Sequence, residues 1–151
     1  MKLYRLDEKV GEMINIRYVT EEDASFWFRL DRHLTQEEFS AKVRDKRGYL
    51  LLKDDIPLGV LRYNLFWDNI PFCTLIYIEQ GYQSEGYGTC LREHWEQDMG
   101  SKGYGIVMTS TQTDEMAQHF YRKLGYQETG ALIMNLPGYR QPMEMFFVKE
   151  I

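Results

Sequence analysis

The stretch QGYQSEGYGTCL, residues 80–91, joins two runs of different hydrophobic period. Residues 72–79 before it are apolar and β-branched or aromatic, as is typical of a strand. The run after it has helical spacing, with apolar residues every four positions at Leu91, Trp95 and Met99. Gly86 and Gly88 stand at the junction. Glycine at such a point either turns the chain or lets another molecule approach the backbone closely.

A strand, a glycine-rich turn and a helix in this order predict an anion site. The first amides of a helix have no internal partner, and the helix dipole adds positive potential there. A lone Gly-x-Gly at a helix start more often serves only the turn. A dinucleotide fingerprint needs a third small residue where Leu91 stands, and a P-loop needs Gly-Lys-Ser or Gly-Lys-Thr. Neither of these two phosphate motifs matches.

The pattern outward from this stretch predicts an alternation of strands and helices. Expected strands cover residues 14–19, 49–53, 58–66, 72–79, 106–110, 131–136 and 143–149. Helices are expected after the caps Thr20 and Thr35, after Gly88, and over residues 113–124. Short turns indicate antiparallel pairing, whereas the central strand–helix–strand unit needs a parallel pair. We therefore expect an α/β protein with a mixed, mostly antiparallel sheet of about six or seven strands flanked by about four helices.

Composition narrows the function classes. The 151 residues suit one domain, which we place at residues 14–151 after a polar N-terminal extension, residues 1–13. The net charge is −5 and no segment concentrates Lys and Arg, which argues against nucleic acid. The three histidines and two cysteines lack metal-ligand spacing, so no metal is expected. No run approaches the roughly 20 apolar residues of a membrane helix, and the first residues lack the apolar core of a signal peptide. We predict a cytoplasmic protein without a membrane partner.

Two motifs resemble signatures of the GNAT N-acetyltransferase superfamily. Gln83-Ser-Glu-Gly-Tyr-Gly88 matches Gln/Arg-x-x-Gly-x-Gly/Ala, the pyrophosphate loop of that family. The run TDEMAQHFYRKLGY, residues 113–126, resembles its second signature, in which an Asn-x-x-Ala helix leads to Phe-Tyr-x-x-x-Gly-Phe/Tyr. The first strand and helix cap, residues 14–23, resemble the family as well. Two spaced motifs in the right order are more specific than either alone, and the resemblance covers nearly the whole chain from Ile14.

The resemblance implies acetyl-CoA as cosubstrate, no metal, and direct attack by a primary amine of a small molecule or peptide. It also implies that the strand at residues 72–79 splays from the strand at 106–111, with the pantetheine arm between them. The cofactor-binding positions that it implies are Tyr77 and Ile78 (backbone), Gln83, Ser84, Glu85, Gly86, Tyr87, Gly88, Thr89, Asp114, Ala117, Phe120 and Tyr121.

Two residues are candidates for catalysis. Tyr121 matches the family's usual general acid, and a phenol with a pKa near 10 is a suitable proton donor to a departing thiolate. Core packing is its alternative role, because it shares a helical face with Ala117 and Leu124. Glu79, at the end of a strand, is a candidate general base or water-positioning group, and a solvated strand end is the equal alternative. Cys90 is expected to be buried filler.

Departures from the family pattern leave part of the mechanism open. Ser84 and Glu85 replace glycine and a basic or polar residue in the pyrophosphate loop, and Asp114 replaces an asparagine. Phe72 occupies the place of a glutamate base, so the base is unassigned. A non-catalytic acyl-CoA-binding or regulatory module on the same fold is the alternative function.

Substrate and partner expectations rest on surface loops and on the final strand. The expected acceptor walls are residues 33–34, 66–69 and 138–140. The apolar final strand, residues 143–148, is expected to form a sheet edge and to help build a homodimer.

Overall fold

The computed structural model describes residues 2–4, by their backbone, and residues 12–151. The expected N-terminal extension, residues 1–13, lies mostly outside the described residues. Within it, Lys2–Tyr4 forms a short strand, β1, antiparallel to the start of the next strand at Ile14.

The remaining elements alternate as expected for an α/β protein. The strands are β2 (Ile14–Tyr18), β3 (Gly48–Lys53), β4 (Ile56–Phe66), β5 (Ile70–Ile78), β6 (Ile106–Gln112), β7 (Gln127–Leu132) and β8 (Glu144–Glu150). The helices are α1 (Ala24–Leu30), preceded by a 3-10 turn at Glu21–Asp23, then α2 (Gln36–Asp45), α3 (Tyr87–Ser101) and α4 (Ala117–Lys123).

One mixed sheet organises these elements. Its order is β1-β2-β3-β4-β5-β6-β8-β7, eight strands with the short β1 included. Among the described strands only β5 and β6 pair in parallel, joined by the crossover through α3. The expected mixed, mostly antiparallel α/β fold is confirmed.

Helices cover both faces of the sheet. On one face, α3 and α4 pack their apolar side chains on the sheet, and Leu91, Trp95 and Met99 are completely buried, as their spacing predicts. On the other face α1 and α2 bury Trp27 and Phe39. The sheet is therefore the middle layer, and any opening in it lies between two cores.

The last two strands differ from the prediction. Strand β7 covers Gln127–Leu132 and not residues 131–136, and its residues are all exposed because it forms the outer edge of the sheet. At an edge, pairing with the neighbouring strand sets the register, and the apolar pattern gives little guidance. The prediction that residues 143–148 form an edge is wrong, since β8 lies between β6 and β7. The edge-pairing argument for a homodimer through β8 therefore does not hold.

The helix α4 begins at Ala117, four residues after the predicted start at Thr113. Side-chain bonds hold the intervening turn in a different conformation. The Glu115 carboxylate accepts bonds from the Thr111 hydroxyl and the Gln112 amide, and the Gln118 side chain donates to the Thr113 carbonyl at 3.0 Å. The turn is thus tied to the end of β6.

Candidate functional site

Strands β5 and β6 part in the middle of the sheet. Along β5, Cys73 pairs with Tyr63 of β4 and Leu75 pairs with Arg62, so Thr74 is an extra residue in a β-bulge. Pairing of β5 with β6 is confined to Phe72 and Cys73. The two strands therefore diverge directly after the bulge.

The bulge changes which backbone groups face the gap. The Cys73 carbonyl faces β6 and accepts a bond from the Thr109 hydroxyl at 3.4 Å. Beyond the bulge the Glu79 amide donates to Leu58 of β4 at 2.7 Å. Because backbone groups alternate along a strand, those of Ile78 and Ile76 face the gap and those of Tyr77 face β4. Ile78 was expected to offer its backbone here, and its carbonyl accepts a bond from the Gln83 side chain at 2.9 Å.

The gap opens into a cleft of about 590 Å³. Its walls are residues 73–77 of β5 and residues 109–112 of β6, together with His33, Glu115, Ala117, Tyr121 and Glu144. The described part of the chain thus gives this cleft a hydroxyl-rich strand, two carboxylates, an imidazole and two phenols.

Tyr121 is both a core residue and a cleft residue. It is 6% exposed and packs against Tyr126 and Phe147, each with ring centroids 5.7 Å from its own. Its hydroxyl accepts a bond from Arg92 at 3.4 Å. Burial raises the pKa of Tyr121, and the charge of Arg92 only partly offsets this, so the phenol is protonated at neutral pH. Tyr121 can therefore present a proton to the cleft.

The start of α3 lies beside this cleft. The first bond inside the helix runs from the Cys90 amide to the Gly86 carbonyl at 3.0 Å, so the amides of Tyr87, Gly88 and Thr89 have no partner within the helix. Gly86 has a φ of 89°, a left-handed conformation that favours glycine. A Cβ on Gly88 would lie 3.8 Å from Ile78 of β5 and 4.0 Å from Phe120 of α4. The fold thus brings the two sequence motifs together.

The other predicted binding positions differ in their surroundings. Ser84, Glu85 and Asp114 are exposed, and Ala117 lines the cleft. Phe120 packs next to Tyr121 with ring centroids 5.6 Å apart, and the Tyr87 side chain is buried, which leaves only its backbone facing outward.

Glu79 and Cys90 are placed apart from the cleft. The Glu79 carboxylate pairs with Arg29 of α1, and the described residues that line the cleft do not include Glu79. Burial raises the pKa of the Cys90 thiol to about 11, so the expected role as buried filler fits its surroundings.

Of the loops predicted to bind the acceptor amine, only one contributes to the described walls of the cleft. His33 lines the cleft, whereas Trp67 and Tyr139 are 77% and 72% exposed and are not among its described walls. Four residues at or beside the cleft were not predicted from the sequence: Thr109, Glu115, Glu144 and Arg92. The hydroxyl run of β6, residues 109–111, was the available signal, because successive polar residues are unusual in a central strand.

Residues 2–4 and 12–151 contain neither a metal-binding cluster nor a membrane-spanning helix. No cluster of His, Cys, Asp and Glu there could hold a metal ion. No helix in that part of the chain is long and apolar enough to span a membrane.

Comparison with known proteins gives a family match and a common fold. Residues 13–126 match the model of the acetyltransferase (GNAT) family. Ard1 from Thermoplasma volcanium superposes with a TM-score of 0.77 at 16% identity, covering 91% of this chain and 97% of that one. The ribosomal-protein-S18-alanine N-acetyltransferase from Escherichia coli gives 0.74 at 17% identity, with 92% and 94% covered.

A third solved structure was determined with a ligand. Arabidopsis thaliana Naa50, in complex with the bisubstrate analogue CoA-Ac-MVNAL, gives a TM-score of 0.73 at 14% identity, covering 91% of this chain and 99% of that one. No curated protein sequence matches significantly. At these identities the structural likeness establishes the fold.

Proposed function

The chain belongs to the acetyltransferase (GNAT) family, and from this premise we propose that it is an N-acetyltransferase. It transfers the acetyl group of acetyl-CoA to a primary amine of a small molecule or peptide by direct attack. The observation that carries the proposal is the parting of β5 and β6 after Cys73, with Tyr121 in the wall of the resulting cleft.

The start of α3 holds the pyrophosphate in this proposal. The amides of Tyr87, Gly88 and Thr89 lack helical partners, and an anion placed there also gains from the helix dipole. The preceding turn, residues 83–86, is exposed and adds further backbone to the same site. Glu85 is exposed as well, so its carboxylate can turn to solvent and away from the phosphates.

The pantetheine arm lies in the gap, where strand backbone is available. The groups of Ile76 and Ile78 face this gap, and the arm bonds to them much as an additional strand would. This leads the thioester toward the bulge at Thr74 and toward Tyr121. A backbone amide near the bulge is suitably placed to stabilise the oxyanion.

The chemistry is a direct acyl transfer. The amine nitrogen attacks the thioester carbon, the carbon–sulfur bond breaks, and Tyr121 donates its proton to the leaving sulfur. The nitrogen loses a proton to a base, and return of a proton to Tyr121 completes the cycle. The imidazole of His33 lines the cleft and is a candidate for that base. Glu79, which the sequence suggested as a candidate base or water-positioning group, would have to leave its ion pair with Arg29 to act as the base.

The cleft suits a cationic acceptor. Glu115 and Glu144 contribute carboxylates to its walls, and the chain carries a net charge of −5. Such a potential attracts an ammonium group before it is deprotonated for attack. The Escherichia coli neighbour is named for a protein alanine and the Arabidopsis neighbour binds a peptide-like analogue, which supports a peptide amine alongside small amines.

An amine panel tests the proposal. Purified protein is mixed with acetyl-CoA and with small diamines, amino acids and short peptides, while free thiol and the product mass are followed. We expect at least one acceptor to release thiol in step with acetylated product. Acetyl-CoA binding without turnover on any acceptor would support the non-catalytic acyl-CoA-binding module instead.

A further inference from the structure

Arg92 is a completely buried cation beside the cleft. It lies on the face of α3 that packs on the sheet, with no exposed surface. Buried arginines normally pair with a carboxylate, since an unpaired buried charge is costly. In the described structure Arg92 donates to the hydroxyls of Tyr126 and Tyr121, at 3.2 and 3.4 Å, and to the Cys73 thiol at 3.4 Å. Its Nε has no hydrogen-bond partner among residues 2–4 and 12–151.

The carboxylate of Glu96 reaches Arg92 only through the Tyr126 hydroxyl. The Tyr126 hydroxyl donates to Glu96 at 2.7 Å, and Glu96 also accepts a bond from Lys149 at 2.8 Å. Glu96 is therefore shared between two cations, one of them through a phenol. Burial lowers the pKa of Arg92, but the acidic groups of Cys73, Tyr121 and Tyr126 raise it more, so the guanidinium stays charged.

The donor chemistry of arginine fixes the role of the Tyr121 hydroxyl. A guanidinium has five N–H donors and no acceptor, so the Tyr121 oxygen must accept from Arg92. The Tyr121 hydrogen is then left for Thr109 or for a group in the cleft. The guanidinium carbon also lies 4.7 Å from the centre of the Tyr121 ring, within cation–π range.

We propose that Arg92 is a positioning residue for proton donation by Tyr121: it turns the phenol hydrogen toward the cleft and stabilises the tyrosinate left after transfer. This inference rests on the proposed function. In each cycle the Tyr121 O–H bond breaks as the S–H bond of CoA forms, and a proton lost by the acylated nitrogen later returns to the phenolate. Arg92 exchanges no proton and acts by its fixed charge.

Arg92 differs in charge from the other groups that surround Tyr121. Arg92 comes from α3, Cys73 from β5, Glu115 from the turn before α4, and Tyr126 follows α4. Thr109 of β6, Phe120 of α4 and Phe147 of β8 also contact Tyr121 and do not titrate at ordinary pH. Arg92 is the cation within this described set. Removing it should therefore raise the pKa of Tyr121.

The first test is a double-mutant cycle on turnover. Replacing Arg92 by Met (Arg92→Met) exchanges the buried ion for an apolar side chain of similar length, so the charge is lost while most of the volume is kept. We expect kcat to fall about ten- to a hundredfold, the ratio that corresponds to loss of one charged hydrogen bond. In the Tyr121→Phe background the same substitution should change kcat less than about twofold. Arg92→Lys, which retains a cation, should fall between wild type and Arg92→Met.

The second test needs no turnover. The protein is prepared with ring-labelled tyrosine, the Tyr121 signal is identified by its absence in Tyr121→Phe, and its titration is followed by NMR. Arg92→Met should move the Tyr121 titration to higher pH. The matched control is Lys42→Met, because Lys42 is another buried cation, 4% exposed, whose ammonium binds Tyr63 and Asn64 of β4. Lys42→Met should leave both kcat and the Tyr121 titration unchanged.

Failure of this inference differs from failure of the proposed function. An unmoved Tyr121 titration in folded Arg92→Met, or an equal loss of kcat with and without Tyr121, would overturn the role of Arg92 while transfer itself stands. If Arg92→Met does not fold, Arg92→Lys is carried through the same cycle and titration, and an effect that is independent of Tyr121 would again contradict the proposal. Absence of acetyl-CoA binding by wild-type protein would instead reject the proposed function.

Discussion

The proposed chemistry depends on the position of a single phenol, that of Tyr121. Tyr121 is 6% exposed and is surrounded by aromatic rings, yet it also lines the cleft between β5 and β6. Core packing and acid catalysis, the two roles that its sequence position suggested, are therefore compatible here. Packing holds the ring in place, and the hydroxyl accepts a bond from Arg92 at 3.4 Å.

Removing the Tyr121 hydroxyl should slow acyl transfer while leaving the ring in place. General acid catalysis contributes about 10²- to 10⁴-fold, so Tyr121→Phe should lose that much in kcat with acetyl-CoA affinity nearly unchanged. The measurement is thiol release under conditions where chemistry limits the rate. Tyr63→Phe is the matched control, since Tyr63 is a buried core tyrosine that does not line the cleft. A Tyr121→Phe enzyme with more than about half the wild-type rate would remove Tyr121 from the acid role.

Individual residues differed in how far the sequence could place them. The use of glycine at position 86 was predictable, because the turn from a strand into a helix can require the left-handed conformation that Gly86 adopts. Arg92 was not, since a charged residue in a helix normally faces solvent. Its burial depends on Cys73, Tyr121 and Tyr126, which come from distant parts of the chain and meet only in the folded sheet.

Helix α3 links the cleft to the opposite end of the sheet. Its start faces the gap beside Ile78, and near its end Asp98 accepts bonds from the hydroxyls of Tyr18 on β2 and Tyr49 on β3, at 2.7 and 2.6 Å. Burial alone would raise the pKa of Asp98, but the bonds from Tyr49 and Tyr18 outweigh it, so the pKa lies below the ordinary value. This carboxylate anchors α3 to two strands.

Asp98 should therefore contribute stability that disappears in acid. A carboxylate with a depressed folded pKa stabilises the protein fully above its unfolded pKa, about 3.9, and loses this contribution as the pH falls through the folded pKa. Asp98→Asn should lower the free energy of unfolding at neutral pH by about 1–3 kcal/mol and flatten the acid limb. Urea unfolding across pH measures both. Asp45→Asn, which changes an exposed acid bonded to the neighbouring Arg44, should leave the free energy of unfolding and its acid limb nearly unchanged; equal behaviour of the two variants would contradict the anchor.

The helix start also provides a test of coenzyme binding at the level of an element. Gly88 has room for a Cβ, so Gly88→Val should fold while its methyl groups obstruct the approach to the helix amides. Gly86 is less informative, because its φ of 89° would strain any other residue. Gly100→Val is the matched control, because Gly100 lies in the same helix with open space around its Cβ position. Acetyl-CoA should raise the Tm of Gly100→Val as it does for wild type, and not that of Gly88→Val. Equal shifts in both variants would mean that Gly88 only shapes the turn.

Helices and strands were predictable where burial of one face gives the sequence a regular hydrophobic period. Their bounds were less predictable where side-chain hydrogen bonds or an exposed sheet edge determine where an element begins. The four-residue apolar repeat of α3 identified a buried helix correctly. The start of α4 was misplaced because Glu115 and Gln118 hold residues 113–116 in a turn through side-chain bonds. Strand β7 was misplaced because it is an exposed edge whose position follows its pairing with β8. The bulge at Thr74, which opens the cleft, left no mark in the pattern of β5.

Across the whole molecule, the pairing of neighbouring strands is interrupted at one place, between β5 and β6. Every described neighbouring pair of strands is antiparallel except β5 and β6, and that pair separates after two residues of contact. A core lies on each face of the sheet, with α3 and α4 on one side and α1 and α2 on the other. In the proposed function, a ligand in this gap supplies the backbone contacts that the two strands do not make with each other.

Calorimetric titration of the wild-type protein with acetyl-CoA is the most direct test of the proposed function. We expect saturable binding of one acetyl-CoA per chain. At a hundredfold excess over Kd this binding would stabilise the fold by about 2.7 kcal/mol, which corresponds to a rise in Tm of roughly 5–10 °C for a domain of this size. A folded protein that shows neither binding heat nor a rise in Tm at millimolar acetyl-CoA would contradict it.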